Sequence, residues 1–235
     1  TFEAGEDETP IWSSDGTSVA YTSARPGAPR RLIRLGIDGP GDAEELWQDP
    51  RHFHAADWSP DGTTIVLDVQ NQATSGDVYL FPLDGDRTPR PLLESVFNER
   101  SARVSPDGRW LAYASNESGR DEIYVQVFPE LGGKRQVSTN GGVQPVWSRD
   151  GAELFFRGPN DLMAASVAGE DAPTVAAVRP LFNDRFIRAQ SPGNHTTYDV
   201  ARDGRFLMLE SVAGLESMYA VASWFEELKA RVPVP

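Results

Sequence analysis

Trp58-Ser59-Pro60-Asp61-Gly62, followed one residue on by Thr64-Ile65-Val66-Leu67, reads as a tight turn and the strand that leaves it. Pro60 arrives with φ already near the first turn position, Asp61 can hydrogen-bond the local backbone, and Gly62 can take φ > 0. The pattern recurs at Trp12-Ser13-Ser14-Asp15-Gly16, Val104-Ser105-Pro106-Asp107-Gly108, Trp147-Ser148-Arg149-Asp150-Gly151 and Val200-Ala201-Arg202-Asp203-Gly204. Its aspartates step by 46, 46, 43 and 53 residues, against the ~40–45 of a four-stranded propeller blade. Asp38-Gly39 and Asp84-Gly85 fall between them, so Asp15, Asp38, Asp61, Asp84 and Asp107 are spaced by 23 and each unit holds two hairpins.

An apolar, β-prone run follows each corner: Ser18–Tyr21, Thr64–Leu67, Trp110–Tyr113, Glu153–Phe156 and Phe206–Leu209. Third strands are predicted at Arg31–Leu35, Val78–Phe81, Ile123–Phe128, Leu162–Val167 and Met218–Ala222. Weaker fourth strands are predicted at Glu45–Trp47, Arg90–Leu93, Arg135–Ser138 and Arg179–Phe182, with none in the last unit. The fold class is therefore all-β, a β-propeller of four-stranded antiparallel blades with five repeat units (about 9–49, 54–94, 99–139, 142–183 and 195–223). Alternation along the first strands puts Trp12, Trp58 and Trp147 between blades, as core rather than as ligand-stacking residues.

The 235 residues suit one large all-β domain, or a segment of a larger ring, and the 21 Gly and 18 Pro lie between apolar runs, as turns do. A net charge of −13 without clustered Lys and Arg argues against a nucleic-acid partner. With 0 Cys there is neither a disulfide framework nor a thiolate metal site. The longest apolar candidate, Met218–Phe225, falls well short of the ~20 residues of a membrane-spanning helix, so no membrane insertion by this segment is expected. The chain begins at Thr1, and a preceding signal peptide or domain is compatible with that.

The repeated Trp-Ser-Pro-Asp-Gly, with Leu111-Ala112-Tyr113-Ala114-Ser115 and Ile123-Tyr124-Val125, resembles the Pro-Asp propeller repeat of the TolB-like family. More narrowly, Ser115–Gly119, Ile123–Pro129 and Gln136–Thr139 are similar to the C-terminal propeller of bacterial eukaryotic-like Ser/Thr kinases. The resemblance implies a sensor or scaffold in a periplasmic or extracytoplasmic setting, with a cytoplasmic one also compatible. Ser223-Trp224-Phe225-Glu226-Glu227-Leu228-Lys229 resembles the short helix that closes such chains: Ser223 and Glu226 form a capping box, and a helix over 224–232 ends at Pro233. Such relatives usually have six or more blades. Two arrangements follow for five units: residues 1–9 supply a closing strand, or the chain is part of a larger ring, which we favour because an open arc leaves two exposed edges.

No kinase loop and no Gly-x-Ser-x-Gly elbow is present, so the chain is read as non-catalytic. Two enzyme-linked alternatives stand beside that reading: the gating propeller of a peptidase, and a metal-dependent carbohydrate-active propeller whose His52, His54 and His195 hold a divalent ion. We read these histidines as ordinary loop residues and expect no metal and no cofactor. The loops joining fourth to first strands, with those joining second to third, line one mouth of a propeller. Here that rim includes Arg51, His52, His54, Phe97, Asn98, Arg100, Asn140, Gln144, Arg185, Arg188 and His195, a mixture of Arg, aromatic and amide groups suited to a protein or peptide partner, or a small ligand.

Overall fold

The computed structural model describes residues 5–37, 43–188, 196–212 and 215–221. Among these residues five antiparallel sheets follow in chain order. The first is β1 (Glu6–Trp12), β2 (Ser18–Ala24), β3 (Arg30–Gly36) and β4 (Glu44–Asp49), and the second is β5 (Phe53–Trp58), β6 (Thr64–Val69), β7 (Asp77–Pro82) and β8 (Arg90–Leu93). The third is β9 (Glu99–Val104), β10 (Trp110–Ser115), β11 (Glu122–Val127) and β12 (Arg135–Gln136). The fourth is β13 (Val143–Trp147), β14 (Glu153–Arg157), β15 (Asp161–Ala168) and β16 (Thr174–Asn183), and the fifth is β17 (Tyr198–Val200), β18 (Phe206–Val212) and β19 (Leu215–Val221). Each sheet is a meander, each strand pairing with its sequence neighbour.

The Asp-Gly corners form as their chemistry dictates. Gly62 N–H donates to Ser59 C=O at 2.9 Å and takes φ +76°. Asp61 Oδ1 accepts from the Ser59 hydroxyl (2.6 Å), the Thr63 amide (3.0 Å) and the Thr63 hydroxyl (2.9 Å), while Ser59 Oγ accepts from Thr64 N–H at 3.0 Å. Asp15, Asp107 and Asp150 repeat this, each with the serine two residues before it. These bonds use the carboxylates locally, so the corners are structural. The Asp38-Gly39 turn lies outside the described residues.

Apolar side chains fill the seams between consecutive sheets. Ile11, Leu32, Trp58, Leu67 and Phe81 join the first two; Val66, Leu80, Val104, Leu111 and Tyr113 the next pair. Trp110, Ile123, Trp147, Leu154 and Phe156 lie between the third and fourth, and Phe155, Leu162, Tyr198 and Phe206 between the fourth and fifth. The first strands β1, β5, β9, β13 and β17 touch in sequence and form the inner side of the stack. Register breaks within β1, β5, β9 and β13, and Thr9, Ser101 and Gln144 take positive φ there. Such bulges bend the inner strands and re-aim their side chains.

Two expectations change. Trp58 and Trp147 are buried, but Trp12 is 61% exposed. A first-strand Trp packs on the sheet before its own, as Trp147 does in donating to Arg103 C=O at 3.1 Å, and no sheet precedes the first among the described residues. Residues 6–9 do not supply a closing strand on the last sheet either: they are the start of β1, where Glu6, Asp7 and Glu8 pair with Ala24, Ser23 and Thr22 of β2. The fifth sheet has three strands among the described residues. The helix expected over 224–232 lies outside them. No described helix is long and apolar enough to cross a membrane.

Candidate functional site

Fourth-to-first and second-to-third loops meet at one mouth, as backbone bonds show: Gln70 N–H to His52 C=O (2.7 Å), Glu99 N–H to Gly76 C=O (2.9 Å) and Gly142 N–H to Asp121 C=O (2.9 Å). Those of the predicted rim residues that are described are distributed over the four seams between the described sheets.

At the first seam, Arg51 folds back on Asp49, donating from Nε to Oδ1 and from Nη2 to Oδ2, each at 3.0 Å, with its guanidinium 5.4 Å above the Tyr79 ring. His52 is exposed and His54 buried, with ring centroids 4.5 Å apart. Glu8, from the neighbouring sheet, joins them: His54 Nδ1 lies 3.6 Å from Glu8 Oε2, and ligand atoms of Glu8, His52 and His54 lie within 4.8 Å of one another. Arg30 Nη1 donates to the same Glu8 Oε2 at 2.7 Å. Burial, and then the Arg30 charge, push the His52 pKa down.

At the second seam, Val96 is 81% exposed and Phe97 37% exposed. Their loop is pinned by Phe97 N–H to Ser95 Oγ (3.0 Å) and Asn98 N–H to Asn116 Oδ1 (2.9 Å). Arg100 is buried and makes a two-pronged pair with Asp121, at 3.0 and 2.5 Å. It braces the seam and is not displayed on the surface.

At the third seam, Asn140 lines a cleft of about 220 Å³ with Phe156, Met163, Val178 and Pro180. Buried Glu122 builds its edge, accepting from Gly141 N–H at 3.0 Å and Arg120 Nε at 2.7 Å. Gln144 is buried beneath, its C=O accepting from Tyr198 Oη at 2.9 Å. At the fourth seam, Arg185 is exposed, while Arg188 donates to Gly158 C=O at 2.7 Å and pairs with Asp184 at 2.9 Å. His195 lies outside the described residues.

The outer display therefore holds His52, Val96, Phe97, Asn140 and Arg185, whereas His54, Arg100 and Gln144 are interior and Arg51 and Arg188 are paired. Glu8 and Val96 were missed from sequence. For Glu8 a signal existed: seven residues before the corner aspartates Asp15, Asp61 and Asp107 stand Glu8, His54 and Arg100, equivalent positions of successive inner strands.

The sequence profile of the TolB beta propeller domain matches residues 6–177. A protein TolB homolog from Chlorobaculum tepidum is 27% identical over 164 residues, which is 66% of this chain and 34% of that protein. Among solved structures, TolB from Acinetobacter baumannii superposes with a TM-score of 0.69 at 16% identity, over 94% of this chain and 53% of that one. Oligogalacturonate lyase from Vibrio parahaemolyticus gives 0.65 at 15% identity, over 94% and 66%. These structural likenesses are of fold, and the chain spans about a third of the length of the C. tepidum relative.

Proposed function

Because the chain belongs to the TolB beta propeller domain family, we propose that it is a non-catalytic platform that takes a protein or peptide partner on the mouth described above. The observation that carries this reading is the Val96–Phe97 tip. It is an exposed apolar pair, held in place by side-chain bonds on either side and set in a polar surround. Apolar anchors of this kind, rigid before contact, supply interface energy with little loss of conformational freedom. The cleft at Asn140, at the next seam, gives a partner's side chain, or a small ligand, a place to enter. The resemblance of residues 115–139 to kinase propellers supports a role as the sensor region of a larger signalling protein, in an extracytoplasmic compartment.

A photo-crosslinking amino acid at position 97, in the chain expressed in its native host, tests the proposal. One predominant protein adduct, lost in a Val96→Ser variant of the same protein, is expected; no adduct above that of a probe at Arg90 overturns it. The rival is a lyase acting on acidic oligosaccharides, a substrate class suggested by the oligogalacturonate lyase likeness. Turnover of such oligosaccharides by the purified chain would establish that rival and remove the non-catalytic reading.

A further inference from the structure

Glu8 lies in β1 of the first sheet, His54 in β5 of the second and His52 in the loop just before β5, yet their ligand atoms gather within 4.8 Å of one another at the first seam. Two imidazoles and a carboxylate so placed put three electron-pair donors within reach of one ion. That donor set, two nitrogens and one oxygen, suits a divalent ion of the zinc class. Tetrahedral zinc holds its donors about 3.3 Å apart, so the trio must close by at most about 1.5 Å. The Glu8 Oε2 to His54 Nδ1 distance, 3.6 Å, is already near that value. His52 is exposed, which gives an ion a route in from the mouth.

We infer that Glu8, His52 and His54 form a three-ligand site for a divalent transition-metal ion, which bridges the first and second sheets and leaves at least one coordination position open. The local competitor is Arg30, whose guanidinium occupies Glu8 Oε2 at 2.7 Å. An arriving ion uses the other carboxylate oxygen or displaces Arg30. Removing Arg30 therefore strengthens binding rather than weakening it, a sign that a merely structural role for the trio does not give. The site is independent of the proposed protein-binding tip at Val96 and Phe97, which lies at the next seam.

The test is calorimetric titration of tag-free, chelator-stripped protein with ZnCl2, alongside thermal melting with and without the ion. One ion per chain is expected, with a rise in melting temperature on loading. Glu8→Gln and His52→Ala each weaken uptake at least tenfold and abolish that rise, with circular dichroism unchanged. Arg30→Ala binds more tightly than the parent, and His195→Ala leaves uptake as it was. Absence of stoichiometric uptake, wild-type affinity in the Glu8→Gln/His52→Ala double variant, or loss of uptake in His195→Ala each overturns the assignment.

Discussion

Asp57 Oδ2 in β5 accepts the main-chain N–H of Val104 in β9 at 2.8 Å, tying the inner strand of the second sheet to that of the third. Asp68 Oδ2 does the same for Ser101 N–H at 2.7 Å, at the residue where β9 bulges and φ turns positive. As the edge strand of its sheet, β9 turns these amides away from its own ladder, and the two carboxyl groups satisfy them from the preceding sheet.

This coupling has a pH signature. Burial pushes both carboxyl pKa values up, that of Asp68 to about 6, although the Ser101 and Ala102 amides pull the other way. A pKa raised on folding means stability is greatest below the unfolded value near 3.8 and is lost as pH rises through about 6. Asp68→Asn keeps an acceptor for Ser101 and removes the titration. Its urea midpoint should pass the parent's between pH 4 and pH 7, by a free-energy gap of at most about 3 kcal/mol. A gap constant with pH would refute the assignment.

The corner aspartates act in the opposite sense. The Ser13 hydroxyl, then the Thr17 amide and hydroxyl, lower the Asp15 pKa to about 2, and the Ser59 hydroxyl heads the same set of causes at Asp61. A lowered pKa contributes stability above the unfolded value that is lost as pH falls through the folded one, here between about pH 4 and 2. Asp61→Ala should cost about 1–2 kcal/mol near neutrality, and denaturant midpoints should show the cost shrinking as pH falls below the ordinary carboxylate range.

The corners were legible because every group that makes them lies within six residues of sequence, and strand faces were legible from alternation. Environment was not. Trp12 and Trp58 occupy equivalent positions, and only the presence of a preceding sheet distinguishes them. The rim arginines were visible as charges, but the counter-ions that hold them were not: Asp121 follows Arg100 by 21 residues and meets it from the loop between β10 and β11. Glu8 becomes visible only when the repeat is aligned seven residues upstream of Asp15, before the unit seemed to begin.

The two tryptophans give a direct comparison. Trp58→Ala removes a buried ring from the first seam and should cost about 3–5 kcal/mol. Trp12→Ala removes a ring that is 61% exposed and should cost less than about 1 kcal/mol. Chemical denaturation of both variants checks the difference, and equal costs would show that Trp12 is covered in solution.

The fourth seam holds a buried charge group whose response to mutation should be strongly non-additive. Arg157 and Asp184 both have fully buried side chains, 3.3 Å apart, and the Arg157 guanidinium lies 5.3 Å from the centre of the Tyr198 ring. Among the described residues, none of its three nitrogens makes a well-formed hydrogen bond. Burial pulls its pKa down, and Asp184 opposes that. Asp184→Ala leaves this guanidinium buried without its counter-ion, beside the like charge of Arg188, and should cost about 3–5 kcal/mol. Arg157→Met is milder, because Asp184 keeps Arg188 at 2.9 Å. In the double variant the uncompensated charge is gone, so its cost in urea denaturation should fall below the sum of the single costs by at least about 1 kcal/mol. Additive costs would mean that Arg157 and Asp184 are not energetically coupled.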